Sequence, residues 1–188
     1  SIRPSSPSAS IFSGVSAIWN SLRVALFTPA SVACADSSTA VSTTFTGTLS
    51  NGAGTLALTK NGLGTLTLTP LSATYTGATV VSAGILKLGN SGALGTTSGV
   101  TISAGASVDL NGQSTDRNFI SISGTGHEGG GAIFNSSLTT AGMITGTVVQ
   151  GATAKIGGAG NIIIKNTCSG NTLNWSIAAN NIFGPIDR

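Results

Sequence analysis

From Phe45 onward the chain alternates apolar and polar positions in short bursts. Gly54–Thr59 reads Gly-Thr-Leu-Ala-Leu-Thr, and Gly64–Thr69 reads Gly-Thr-Leu-Thr-Leu-Thr. The rhythm returns at Gly84–Gly89, Gly99–Ser103 and Ala106–Asn111. A period of two sends successive side chains to opposite faces of a strand. Leu56, Leu58, Leu66 and Leu68 therefore share one face, and Thr55, Thr59, Thr65 and Thr69 the other. Glycine or asparagine bounds each burst and supplies the corner. Strands this short are unstable alone, and their regular return marks a repeat architecture. An antiparallel sandwich and a parallel β-helix both use such strands. The corners are glycines and small polar residues rather than paired hairpin signals, and the Leu-x-Leu units can stack along an axis. The pattern therefore predicts an all-β parallel β-helix, or β-solenoid, over residues 45–180, with roughly six coils of about 20–25 residues. Leu56, Leu58, Leu66, Leu68, Leu86, Leu88, Val108 and Leu110 are expected to point inward. Residues 181–188 are read as a C-terminal tail.

Residues 1–44 lack this rhythm. Pro4, Pro7 and Pro29 fall here, and Ile11, Val15, Ile18, Leu22 and Leu26 recur at helical spacing after Ser10, a residue suited to cap a helix. One reading is an amphipathic helix ending before Pro29, which caps the solenoid. The other is a signal remnant, with Ala33–Cys34–Ala35 as a small-residue cleavage site. No run of about 18 apolar residues exists, so no transmembrane helix is expected.

Composition sharpens the picture. Only 7% of residues are charged, 40% are hydrophobic, and there are 27 glycines. A typical globular domain carries about 25% charged residues. The net charge of +3 comes from eight Lys and Arg that form no cluster. Nucleic-acid binding needs a concentrated basic face and is not expected. Cys34 and Cys168 are too far apart for a CxxC motif and read as buried thiols or one disulfide.

Leu58–Thr69 fits the pattern L-x-K-x-G-x-G-T-L-x-L, and Tyr75–Gly89 fits Y-x-G-x-T-x-V-x-x-G-x-L-x-L-G. In both, the sequence resembles the autotransporter-associated β-strand repeat family. The specific resemblance covers residues 58–89 and a looser one runs from about 45 to 112. It implies a right-handed parallel β-helix in the passenger region of a bacterial surface or secreted protein, with the repeat as scaffold rather than chemistry. Lys60 and Lys87 match repeat lysines and are expected on the solvated outer face. The resemblance fades over the last third, and no membrane barrel precedes Arg188. The chain then reads either as a passenger fragment or as a short stand-alone relative.

The acids are Asp36, Asp109, Asp116, Glu128 and Asp187. Asp109 and Asp116, with Arg117 alongside, are the one pair close enough in sequence to suggest glycoside hydrolysis. The competing reading is a charged corner that keeps a turn soluble. His127 and Glu128 lie in Gly124–Gly131, which lacks a second metal ligand and the full dinucleotide fingerprint, and reads as a flexible protruding loop. Asn135–Ser–Ser and Asn174–Trp–Ser are formal glycosylation triplets of no expected use.

No catalytic, cofactor-binding or metal residues are therefore assigned, and the chain is not read as an enzyme. The expected role is an extracellular or cell-surface structural solenoid, an adhesin stalk or a fibre subunit. Self-association through the solenoid ends is expected, along with contacts to a cell surface or matrix. The alternative is a carbohydrate-active β-helix enzyme, which would need several converging charged groups in one groove.

Overall fold

The computed structural model describes residues 10–11, 30–35, 42–51, 54–160 and 162–164. Successive strands wind through the same stations. Strands β1 (Ser10–Ile11), β2 (Ala30–Ala35) and β3 (Thr43–Phe45) come first. Then follow β4 (Leu56–Asn61) and β5 (Thr65–Leu68), and next β6 (Thr79–Val81) and β7 (Gly84–Leu88). The third repeat of the path adds a third side: β8 (Val100–Ile102), β9 (Ala106–Asp109) and β10 (Ser114–Thr115). It is followed by β11 (Phe119–Gly124), β12 (Ile133–Phe134) and β13 (Gly142–Ile144), then β14 (Val148–Ala154), β15 (Ile156–Gly157) and β16 (Ile162–Ile164). Among the described residues the helical content is one 3-10 turn, His127–Gly129.

Every pairing between these strands is parallel. Sheet A stacks β1-β2-β4-β6-β8-β11-β14, sheet B stacks β15-β12-β9-β7-β5-β3, and sheet C stacks β10-β13-β16. The chain is a β-solenoid of about 5 turns. Leu58 pairs with Thr79, Thr79 with Val100, Val100 with Phe119 and Phe119 with Val148. The last step is the longest because the glycine-rich Gly124–Gly131 is inserted between β11 and β12.

All eight residues expected inside are inside: Leu56, Leu58, Leu66, Leu68, Leu86, Leu88, Val108 and Leu110 belong to one core with Tyr75, Phe119 and Ile133. Alternation accounts for this, since β4 and β7 bury every second residue. Each leucine so covered contributes roughly 1.5–3 kcal/mol relative to an exposed one. The core also holds a line of hydroxyls. The Tyr75 hydroxyl lies 2.7 Å from Thr79 Oγ1, which donates to Thr97 Oγ1 at 3.0 Å, which donates to the Gly77 carbonyl at 2.7 Å. The last acceptor is main chain, so no hydroxyl proton of the line is left unbonded.

The N-terminal segment enters the sheet earlier than its sequence pattern predicts. Ser10 and Ile11, expected at a helix start, pair with Ala33 and Cys34 of β2, and β2 pairs in register with β4. Residues 12–29, which carry the rest of the expected helix, lie outside the described residues, as do Cys168, Asn174 and the tail at 181–188.

Candidate functional site

The repeat residues are best understood at the corner between β4 and β5. Lys60 is only 2% exposed and lies on the inner face, which corrects its expected place on the solvated outside. Alternation through Leu56 and Leu58 carries the next station, Lys60, inward as well. There its ammonium donates to the carbonyls of Asn61 and Gly62 at 2.8 Å and of Ala83 at 3.3 Å. A turn that aims carbonyls inward needs donors, and an ammonium offers three. Gly84 closes the next corner at φ +64, where a Cβ would sit 2.5 Å from the carbonyl oxygens of Gly62 and Gly64. Gly77 gives its N–H to the Leu56 carbonyl at 2.8 Å, and a Cβ there would run into that same group. Tyr75 fills the third side, and burial pushes its phenol up to about 12, with Thr79 and Arg117 pulling in the opposite direction.

Lysine, glycine, tyrosine and the leucines of the pattern thus each hold one coil onto the next. Over residues 58–88 the chain matches the family described as passenger-associated-transport-repeat. These residues are similar to a passenger repeat. The chain is also 44% identical over 107 residues to the adhesin BmaC autotransporter of Brucella suis biovar 1 (strain 1330). That match covers 55% of this chain and 3% of the relative, so the chain spans a small part of the relative's length. No solved structure matches the chain. The passenger repeat itself forms β4 to β7 and their corners, which are packing and hydrogen-bond devices throughout.

Beyond the passenger repeat, a polar corner follows sheet B. Asp109 is 2% exposed, which corrects its reading as a solvated charge. Its Oδ1 accepts from the N–H groups of Asn111 and Ser136, both at 2.9 Å, and Oδ2 lies 3.5 Å from Lys87 Nζ. Lys87 points outward from β7, as expected, but it spends its charge on this carboxylate and on Ser136 Oγ at 3.3 Å. Asn111 donates to the Leu88 carbonyl at 3.0 Å. Asn135 is fully buried; it accepts from the Gly112 N–H at 2.7 Å and donates to the Thr140 carbonyl at 2.9 Å. The glycosylation triplet at Asn135 is therefore closed within the folded chain.

Asp116 lies past β10, at a different corner from Asp109. Arg117 grips its carboxylate through Nε–Oδ1 and Nη2–Oδ2, both at 2.7 Å. The structure does not unite the two acids in one site. His127 and Glu128 sit in the 3-10 turn, where Glu128 is 87% exposed and His127 Nε2 is 3.9 Å from it. The turn is fastened rather than loose: the His127 N–H donates to Ser107 Oγ at 2.7 Å, and Lys155 Nζ donates to the Gly129 carbonyl at 2.7 Å. Among the described residues no three His, Cys, Asp or Glu gather as a metal site.

Reading along the sequence missed a groove of about 490 Å³ on the third side of the solenoid. Leu71, Ser91, Asp116 and Met143 all line it, although each comes from a different coil. Only stacking brings them together. The sequence shows only that Leu71 follows Pro70 just past β5; its exposure is visible in the structure alone.

Proposed function

We propose that this chain is a length of an autotransporter passenger, a stiff β-solenoid displayed at the bacterial surface as an adhesin stalk. The observation that carries the proposal is the in-register parallel ladder centred on the passenger repeat. Such a ladder adds length in steps of about 4.8 Å per coil without changing its cross-section. The relative's description as an adhesin supports the role. So does the low charge, which leaves an exterior rich in Ser and Thr. The reading gives the chain no catalysis. Asp109 is tied to main-chain N–H groups at one corner and Asp116 pairs with Arg117 at another, so the two carboxylates do not converge on one site.

The test is surface display. Antibodies raised against residues 56–160 should label intact bacteria that make this chain, and brief external protease should remove the signal. Labelling that requires permeabilised cells would overturn the proposal. We extend it to self-association of the chain, because its low charge weakens the repulsion that would keep copies apart. Light scattering of the purified chain should then show mass rising with concentration, and a constant monomer mass would remove this extension.

A further inference from the structure

The groove on the third side crosses four coils in succession. Leu71 comes first, then Ser91 and Thr96, then Asp116 and Arg117, and Met143 last. At about 4.8 Å per coil, it spans roughly 14 Å along the axis. Its chemistry is mixed in a particular way. The Asp116–Arg117 pair has no net charge, so the groove favours neither an anion nor a cation. The pair keeps bonding capacity in both senses. Asp116 is 68% exposed, and its carboxylate has acceptor positions beyond the two that Arg117 fills. The guanidinium has five N–H donors, of which the fork to Asp116 uses two. Acceptor and donor thus sit side by side in fixed geometry. Ser91 adds an exposed hydroxyl that bonds in either sense, and the exposed Thr96 hydroxyl, which donates to the Tyr75 carbonyl at 3.2 Å, can still accept. Leu71, 82% exposed, supplies apolar surface at one end, and the half-buried Met143 does so at the other.

We propose that this groove binds a neutral oligosaccharide. Two adjacent sugar hydroxyls match the pair, one donating to the Asp116 carboxylate and the other accepting from Arg117. The C–H face of a sugar ring matches Leu71, and the length of the groove fits a short chain of sugars rather than one. A polyanionic glycan would gain no net attraction from a pair of zero net charge, and an extended peptide would find side chains where strand addition needs a free backbone edge. The inference concerns the groove alone and does not depend on where the protein resides, so it and the stalk proposal fail separately.

The test uses the full chain and neutral hexasaccharides of glucose, mannose, galactose and N-acetylglucosamine, with a heparin hexasaccharide as the polyanion. Saturation-transfer NMR detects contact and titration gives Kd. At least one neutral probe should bind, with Kd on the order of 1 mM for so open a site. Asp116→Asn and Arg117→Gln should each weaken it about tenfold or more, since hydrogen bonds to charged groups are the strong ones here. Ser91→Arg, which fills the groove, should abolish binding, while Glu128→Gln on the 3-10 turn should leave it unchanged. Circular dichroism checks that each variant is folded. Binding of the heparin probe alone, of no neutral probe, or binding that survives both Asp116→Asn and Ser91→Arg overturns the proposal.

Discussion

The coils from Leu56 to Leu110 and those from Phe119 to Ile164 hold themselves together by different means. In the first group the apolar residues recur at fixed stations and adjoining strands pair without a slip from β4 to β9. The inward residues Leu86, Leu88, Val100 and Val108 are fully covered. In the second group the register shifts where β11 meets β8 and again where it meets β14, and β14 is exposed along most of its length. Its coils differ in length, so the fixed spacing of the first group is lost, although Ile133 still pairs with Ile156 and Ile144 with Ile164. The junction between the groups is held instead by Asp109, Asn111 and Asn135, whose side chains bond main-chain groups of neighbouring coils. A solenoid can thus be kept regular by repetition or be tied at its corners, and this chain changes from one device to the other near residue 110.

The contrast breaks most sharply in the first group. Leu86→Asp places a charge at a fully buried position in the apolar core, and should leave no cooperative unfolding transition in urea. Ile156→Asp, at a position 40% exposed, should move the midpoint only slightly. At the junction, Asn135→Ala orphans the Gly112 N–H and the Thr140 carbonyl, and should cost about 3 kcal/mol in urea denaturation.

A third prediction concerns pH. Burial raises the folded-state phenol of Tyr75 from 10.0 to about 12, so folding favours the neutral ring. Its contribution is complete below pH 10 and is lost as pH rises from there to about 12. The loss should approach 3 kcal/mol, because each pH unit between the unfolded and folded values is worth about 1.4 kcal/mol. Because this is the chain's single tyrosine, phenolate absorbance reports it without ambiguity. An absorbance midpoint near pH 10 would refute the buried placement.

Smallest are the carboxylate effects. Asp109→Asn should cost about 1–3 kcal/mol, through weakened acceptance from two N–H groups and loss of the Lys87 pair. Asp116→Asn should stay within about 0.5 kcal/mol, as an exposed ion pair does. The double variant should then unfold like Asp109→Asn alone. Equal costs for the two single variants would erase the difference drawn between a tied corner and a solvated one.

The sequence alone determined the architecture of the first group, because a period of two with stacked leucines has one economical solution once coils must share a core. The eight inward residues, the short glycine-bounded strands and the passenger repeat all follow from local order. The fate of the polar residues followed only from the tertiary structure. Lys60 and Asp109 look alike in sequence to solvated charges, yet both are buried, because backbone groups of their own turn and of the next coil together surround them. The groove is the extreme case. Leu71, Ser91, Asp116 and Met143 are far apart along the chain, and only winding the coils in register sets them in one line.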